Sequence, residues 1–398
     1  MLIKLSWRQI SSRHNFDGGI KMKQRILISL LLCVLAIPGI AQPRKTVLPY
    51  RLVGGKMIVE MIMNGTPRSF IFDTGGQTAL SGEICEELGL PLTDSLVVTD
   101  VNSKKLAYPR VEIESLLFPD KMYHFMHVPA IKLPTPSPFA CFQTDGLIGS
   151  DILKGMIVEL DGKAKTITIS NGEQAPTISL RKMLGFVKKG MPVVALQAGR
   201  GNSINCLFDT GFPGFFSLKS TDFETLKSVG AFTVLAEGFG GASIGVAGES
   251  SAASFYRVQF PELSIGGTRF LNVSSETATP PLTLLGVKLL DYGKVTLDYA
   301  RSRFYFEAYK AENDLKSKHY NVALRVKDGV LVVATVWDAM KGEVEVGDKV
   351  TKIDGQPVST YDFCESIING IPELKAKKKV KLTVQTKNGE KTIVYEKK

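Results

Sequence analysis

Apolar residues along the chain fall into short runs that are separated by turn-forming residues. Runs such as Met57–Met63, Ile157–Leu160 and Thr166–Ile169 are alternating or continuously apolar and are bounded by Gly, Asn and Asp. Runs of this length with these boundaries predict β-strands. Helical patterns are few and short, and they are predicted at these places: Gly82–Leu88, Ser150–Lys154, Ser220–Val229 and Val287–Asp291. The fold is therefore predicted to be mainly β.

The strand pattern occurs twice along the chain. The segment Phe70–Gly75 (FIFDTG) recurs as Cys206–Gly211 (CLFDTG), and Asp145–Gly149 (DGLIG) has a counterpart in Leu282–Gly286 (LTLLG). The flanking segments also align without gaps: residues 149–169 on 286–306, and residues 56–65 on 190–199. A repeat of this length does not build a solenoid. It predicts two similar β lobes, between about residues 48 and 309, that are related by a pseudo-twofold axis.

Each repeat carries an Asp-Thr-Gly turn directly after an apolar strand. Pseudo-twofold symmetry would bring Asp73 and Asp209 together, and two carboxylates in contact share one proton because a second negative charge is costly. One carboxylate is then a base and the other an acid, which suits activation of a water and protonation of a leaving amine. An isolated Asp-Thr-Gly is typical of an ordinary turn, but two at matching repeat positions indicate a catalytic pair. The neighbouring residues are predicted to shape and lock the turns: Thr74, Gly75, Thr210 and Gly211.

With these motifs, residues 48–309 resemble the retropepsin-like aspartic proteases of the exported bacterial type, with both lobes fused in one polypeptide. The resemblance implies that Asp73 and Asp209 are the catalytic pair of an endopeptidase. It further implies hydrolysis of peptide bonds in a peptide or protein substrate, with no metal and no organic cofactor. An alternative of another class stays open, because a fold does not fix a function. The chain would then be a non-catalytic peptide-binding or scaffold protein built on the acid-protease fold.

The resemblance also implies a substrate cleft covered by flaps. We expect one flap within Val97–Tyr108 and a second within Glu237–Ser250, whose glycine-rich sequence gives the backbone the freedom that closure requires. Many family members carry Ala, Ser or Thr after Asp-Thr-Gly, and this chain departs from that pattern. The Phe212 ring would either narrow a subsite or pack in the lobe. The residues assigned to the substrate cleft are Gly76, Phe212, Gly240 and Gly241.

The composition changes from about residue 311. Residues 311–320 are polar and are interpreted as a linker, and they are followed by strands and by a helix predicted at Tyr361–Asn369. The motifs Gly347–Val350 (GDKV) and Ile353–Val358 (IDGQPV) resemble the PDZ domains appended to exported bacterial proteases. Such domains bind a peptide C-terminus by strand addition. The expected carboxylate loop has no good copy at Tyr320–Leu324, so peptide binding and simple positioning of the protease both stay open.

The N-terminus has the pattern of a secretory signal peptide. Lys23 and Arg25 precede the apolar run Ile26–Ile40, and Gly39 and Ala41 place small residues at a cleavage site. The run is short and contains a proline, so a signal peptide is favoured over a permanent membrane anchor. We therefore expect an exported bacterial protein, periplasmic or secreted, with no stable membrane span after cleavage.

Length, charge and cysteine spacing complete the prediction. A chain of 398 residues exceeds one ordinary domain. Much of the net charge of +10 lies in the N-terminal segment, and no basic stripe is interleaved with aromatic residues, so no nucleic-acid partner is predicted. The cysteines beyond the signal peptide form no CxxC motif, which speaks against a metal site and leaves their pairing open. The predicted divisions are an extension with a signal peptide at 1–41, lobes at 42–180 and 181–310, and a linker with an α+β PDZ-like domain at 311–398.

Overall fold

The computed structural model describes residues 45–398, apart from positions 101, 138, 200, 242, 243, 246, 247, 250 and 376. The extension and signal peptide predicted at residues 1–41 lie outside the described residues, so these predictions stay untested. Strands make up more than half of the structure, which confirms the mainly β prediction. Within the described part of the chain, no helix has the length and apolar composition that crossing a bilayer requires.

The first repeat consists of eleven strands and one α-helix. The strands are β1 (Lys45–Pro49), β2 (Arg51–Val53), β3 (Lys56–Met63), β4 (Thr66–Asp73), β5 (Ala79–Leu80), β6 (Leu92–Thr99), β7 (Lys105–Leu117), β8 (His124–Lys132), β9 (Gly146–Gly149), β10 (Met156–Asp161) and β11 (Thr166–Asn171). The helix α1 (Gly82–Glu87) begins where Ser81 accepts a hydrogen bond from the Ile84 amide, a standard N-cap. Short 3₁₀ helices cover Ala140–Phe142 and Ser150–Leu153.

The second repeat consists of twelve strands and one α-helix. Its strands are β12 (Met183–Lys188), β13 (Met191–Ala198), β14 (Asn202–Asp209), β15 (Phe216–Lys219), β16 (Thr233–Gly240), β17 (Ile244–Gly245), β18 (Gly248–Glu249), β19 (Ala253–Ile265), β20 (Thr268–Ala278), β21 (Thr283–Gly286), β22 (Gly293–Asp298) and β23 (Arg303–Ala308). Its helical segments are α2 (Phe223–Ser228) and 3₁₀ turns at Leu180–Lys182, Ser220–Asp222 and Val287–Asp291. All four helices predicted for the repeats are therefore present, two of them entirely as 3₁₀ turns.

The two repeats meet strand to strand with local twofold symmetry. Strand β10 of the first repeat pairs antiparallel with β22 of the second, and Glu159 lies opposite Thr296. These two residues are equivalent in the ungapped alignment of the repeats, and so the pairing is centred on a symmetry point. Strands β1 and β11 extend this sheet on one side, and β23 and β12 extend it on the other. The sheet therefore joins the two repeats.

Part of the segment predicted as a linker, residues 311–320, forms a β-strand. Residues Glu312–Asp314 form β24, which pairs in parallel with β20 of the second repeat, so this part of the predicted linker is bound in a sheet. The remaining elements are β25 (Val322–Lys327), β26 (Val330–Trp337), a 3₁₀ turn at Asp338–Met340, β27 (Lys349–Ile353), β28 (Gln356–Pro357), α3 (Phe363–Asn369), α4 (Pro372–Lys375), β29 (Lys379–Thr386) and β30 (Gly389–Glu396). We call residues 318–398 the C-terminal module.

The C-terminal module has its own apolar core and two attachments to the repeats. Its core contains Leu331, Val333 and Leu382, each with no exposed surface. A disulfide joins Cys141 of the first repeat to Cys364 on α3. On the other side, β26 pairs antiparallel with β16 of the second repeat. The module therefore contacts both repeats. The other two cysteines in the described residues, Cys85 and Cys206, are free and buried.

Candidate active site

The structure brings the two Asp-Thr-Gly turns together at the ends of β4 and β14. The Thr74 amide donates to Thr210 Oγ1 at 3.0 Å, and the Thr210 amide donates to Thr74 Oγ1 at 3.1 Å. Each hydroxyl in turn donates across the junction at 2.7 Å, from Thr74 to the carbonyl of Phe208 and from Thr210 to that of Phe72. Both threonines are buried, so water does not compete for these bonds. The four bonds lock the turns against each other.

Glycine is required in both turns because each backbone approaches the opposite carboxylate. A Cβ at Gly75 would lie 2.5 Å from Asp209 Cγ, and a Cβ at Gly211 would lie 2.6 Å from Asp73 Oδ2. Any side chain at either position would displace a carboxylate. Each aspartate also accepts a hydrogen bond from the glycine of its own turn, at 2.9 Å for Asp73 and 2.8 Å for Asp209. The two carboxylates are thus fixed in one shared space.

The environment of Asp209 favours its protonated form. Its side chain is buried, and burial raises its pKa to about 8, with the charge of Asp73 as the second cause. A hydrogen bond between the two carboxylates raises the pKa further, whereas Lys56 and the Gly211 amide lower it. A carboxylic acid that keeps its proton near neutral pH beside a more exposed carboxylate is the arrangement that acid-base catalysis requires.

Strands β9 and β21 place the two apolar-apolar-Gly segments beside the turns. Strand β4 runs parallel to β9 with Asp73 opposite Gly149, and β14 runs parallel to β21 with Asp209 opposite Gly286. The identical register in the two repeats confirms the predicted equivalence of these segments. Both aspartates end buried strands because β4 pairs with β9 and β14 pairs with β21 inside a sheet.

The two residues that depart from the pattern expected after Asp-Thr-Gly are Gly76 and Phe212. A Cβ at Gly76 would stand 2.9 Å from Asp73 Oδ2, so a larger residue there would press on that oxygen. The Phe212 ring is half-buried and packs on the small apolar cluster of Val193, Leu207 and Leu284. It also lines a cavity, so the two orientations that the sequence left open are combined in one position.

Two β-hairpins stand where the flaps were predicted. In the first hairpin, β6 and β7 pair with Val97 opposite Ala107. Its turn reaches the second repeat, where the Ser103 hydroxyl donates to the carbonyl of Thr279. In the second hairpin, β16 and β19 pair with Glu237 opposite Tyr256. Their hairpin geometry agrees with the flap prediction, whereas movement over a substrate stays a prediction.

A cavity of about 430 Å³ lies under the base of the second hairpin. Its lining includes Phe212, Phe255, Gly240 and Gly241, three of which were assigned to the substrate cleft from the sequence. Strand β26 of the C-terminal module also contacts both glycines. Gly240 pairs with Thr335, and the Gly241 amide donates to the carbonyl of Ala334 at 3.3 Å. Phe212, which directly follows the second Asp-Thr-Gly, and the base of this hairpin therefore border one space.

Sequence reasoning missed two residues that interact with the Asp-Thr-Gly turns, Lys56 and Tyr299. The Lys56 ammonium donates to the carbonyl of Gly211, within the second Asp-Thr-Gly turn. Tyr299 is buried, and burial followed by the charge of Asp73 raises the pKa of its hydroxyl. The sequence gives one signal for Lys56. In the alignment of the repeats it stands opposite Gly190, so the lysine is present in the first repeat alone.

The sequence of the first repeat matches a known family, and a solved structure is similar to part of the chain. Residues 59–152 match the family model described as aspartyl protease, a segment that includes Asp73. A retropepsin-like aspartic protease from Rickettsia conorii is similar at 17% sequence identity and a TM-score of 0.23, over 33% of this chain and 97% of that chain. No curated protein matches the chain.

Proposed function

We propose that the chain is an aspartic endopeptidase that hydrolyses peptide bonds with a water activated by Asp73 and Asp209. One observation carries the proposal: two Asp-Thr-Gly turns are locked face to face, with both carboxylates in one space and a raised pKa on Asp209. The aspartyl-protease match of residues 59–152 supports it. A non-catalytic binding protein has no need of a buried carboxylic acid, which is costly to maintain.

The asymmetry of the pair assigns the proton transfers. Asp209 keeps the shared proton at neutral pH because burial raises its pKa to about 8. Asp73 removes a proton from the attacking water, while Asp209 gives its proton to the scissile carbonyl oxygen. A tetrahedral diol results. Asp73 then delivers its proton to the leaving nitrogen, one hydroxyl of the diol returns its proton to Asp209, and the C–N bond breaks.

Substrate binding follows from the strands around the carboxylates. We propose that a peptide lies extended between the first and second hairpins and pairs with their backbone. The cavity beside Phe212 and Gly241 would then receive one substrate side chain. Its volume of about 430 Å³ suits a large side chain, and the rings of Phe212 and Phe255 offer an apolar contact.

We propose a positioning role for the C-terminal module, in preference to the PDZ-type capture of a peptide end. Strand β26 already adds to β16, and Trp337 packs edge-on against Phe255 of the second hairpin at 4.9 Å between ring centroids. Export from a bacterial cell, to the periplasm or beyond, remains our proposal from the N-terminal sequence alone.

A digest of a peptide library by the purified chain tests the proposed activity. We expect cleavage at internal peptide bonds, without added metal, and inhibition by a peptide containing a statine residue, which mimics the tetrahedral diol. The control is the Asp73→Asn variant in the same digest. Cleavage that persists in the variant or resists the statine peptide would contradict the proposal, as would a wild-type chain that binds peptides and cleaves none.

A further inference from the structure

A cation from the first repeat reaches the Asp-Thr-Gly turn of the second. Lys56 is the first residue of β3, is half-buried, and donates from its ammonium to the carbonyl of Gly211. Across the described ranges, no carboxylate lies within salt-bridge distance of this ammonium. A partly desolvated cation without a paired anion acts on the nearest ionisable groups. Here its charge acts on the Asp209 carboxyl, which lies in the same turn as Gly211.

The position of Lys56 is fixed by a tight turn held between the two repeats. Gly54 and Gly55 both have positive φ, +55° and +81°. A Cβ at Gly54 would lie 2.9 Å from the Phe142 ring, and a Cβ at Gly55 would lie 2.7 Å from Pro213 Cβ. The turn is therefore packed against the first repeat on one side and against the segment after the second Asp-Thr-Gly on the other. This packing directs β3, and Lys56 with it, toward Gly211.

The lysine has no counterpart in the other repeat. The ungapped alignment of residues 56–65 on 190–199 places Gly190 opposite Lys56. The strand register moves the equivalent position by one residue to Met191, because Ile58 pairs with Ile71 and Val193 pairs with Leu207. Neither residue carries a charge, so the positive field comes from one side of the pseudo-twofold axis. That side is the turn of Asp209, because Gly211 belongs to it. A symmetric pair of turns thus receives an asymmetric charge.

Few other titratable groups of the described residues act on this space. Strand β4 contributes Asp73 and β14 contributes Asp209, and Tyr299 follows β22. The Tyr299 hydroxyl stays neutral in the working range because burial raises its pKa. For Asp209, burial and Asp73 raise the pKa, and Lys56 is the side chain that lowers it. Lys56 therefore opposes two effects that favour the protonated form of Asp209.

We propose that Lys56 is a positioning residue whose ammonium keeps the Asp73–Asp209 pair singly ionised in the range where the chain works. The proposal deepens the proposed protease function and rests on it for its catalytic meaning. A nearby positive charge stabilises every ionised form of the pair, so both proton losses occur at lower pH than they would without it. Removing the charge moves both losses to higher pH.

A carboxyl titration tests this inference without turnover. The chain is labelled with [¹³C-γ]aspartate and the two site carboxyls, assigned through Asp73→Asn and Asp209→Asn, are followed by NMR against pH. In Lys56→Met we expect both apparent pKa values of the pair to rise by roughly one unit. Lys56→Arg keeps the charge and is expected to titrate within about 0.3 units of wild type, a small fraction of the effect of a full charge.

Several outcomes would overturn the inference. One is a Lys56→Met chain that titrates as wild type, and another is an Arg variant that shifts as far as the Met variant. If Lys56→Met does not fold by circular dichroism, Lys56→Gln takes its place, and a failure of both neutral variants to fold would make Lys56 a purely structural residue.

The activity profile separates this inference from the proposed function. If the chain cleaves peptides, the bell-shaped plot of kcat/KM against pH moves upward by the same unit in Lys56→Met and stays in place in Lys56→Arg. If the wild type cleaves nothing, the proposed function fails while the carboxyl titration still decides the role of Lys56. A profile that only drops in height, without moving, would count against the inference.

Discussion

The buried proton on Asp209 has a consequence for stability that does not depend on catalysis. Its pKa is raised from the ordinary value to about 8 in the folded chain, so the folded state binds the proton more tightly than the unfolded state does. This stabilisation is fully present below the unfolded pKa of about 4 and is lost as pH rises through about 8. Deprotonation therefore favours unfolding on the alkaline side.

Replacing Asp209 with asparagine is expected to remove this loss. Asp209→Asn keeps the shape and the oxygen that accepts from Gly211, but it carries no charge at any pH. At pH 8 the free energy of unfolding of the variant should exceed that of wild type by up to about a few kcal/mol, so the variant should unfold at a higher urea concentration. At pH 4 the two proteins should be equally stable. Urea unfolding at both pH values measures the difference. A variant that is less stable than wild type at pH 8 would contradict the raised pKa.

The residues that sequence predicted best are those that repeat. Asp73, Thr74 and Gly75 have identical partners at matched positions, and the meeting of the two turns follows from symmetry alone. Lys56 could not be predicted, because its role depends on a contact across the molecule that only one repeat makes. The sequence also could not decide whether the Phe212 ring narrows a subsite or packs in the lobe, for a similar reason. Its neighbours, Leu284 among them, are brought by strands that are distant in sequence.

At the scale of elements, the second hairpin depends on the strand that the C-terminal module adds to it. Trp337 of β26 is buried, and the Arg257 guanidinium lies over its ring at 3.8 Å. The same arginine donates to the carbonyl of Tyr320 and to Glu276. These contacts join β19, β20 and β26 at the base of the hairpin, close to the cavity under Gly240 and Gly241.

Truncating Trp337 is therefore expected to loosen the second hairpin. Trp337→Ala removes the ring that Arg257 and Phe255 contact, and burial of this size predicts a loss of about 3–5 kcal/mol of stability. If the hairpin binds substrate, KM should rise more than kcat falls. Trp337→Phe keeps an aromatic ring and is the matched control, with a smaller effect on both. Unfolding and steady-state kinetics check the two parts, and an unchanged KM in a folded Trp337→Ala would contradict the role of the hairpin base.

The sequence pattern predicted element positions well and element types less well. The helix predicted at Tyr361–Asn369 is α3 at Phe363–Asn369. Two predicted helices are short 3₁₀ turns, at Ser150–Leu153 and Val287–Asp291. Strand β24 escaped prediction because its polar sequence resembles a linker and its pairing with β20 is supplied by tertiary contact.

At the scale of the whole molecule, one covalent bond closes a long loop. The Cys141–Cys364 disulfide joins residues 223 positions apart and fixes α3 of the C-terminal module to the first repeat. On the other side of the module, β26 pairs with the second repeat. The sequence left the pairing of the cysteines open, because contacts between such distant segments leave no pattern in a single chain.

Replacing both disulfide cysteines with serine is expected to lower stability by roughly 2–5 kcal/mol, since closing a long loop restricts the unfolded chain. The urea midpoint of Cys141→Ser/Cys364→Ser measures this. Dithiothreitol should bring wild type to the midpoint of the double variant and leave the variant itself unchanged. Equal stability of oxidised wild type and double variant would show that the bond adds nothing to the fold.

The central claim is that Asp73 and Asp209 act together on one peptide bond. The most direct test is kcat/KM for a cleaved library peptide in wild type, Asp73→Asn and Asp209→Asn, with circular dichroism to establish that all three fold. Because one proton must be shared between two carboxylates, each single variant is expected to lose activity by about 100-fold or more. Retention of a tenth or more of wild-type kcat/KM in either folded variant would contradict the account.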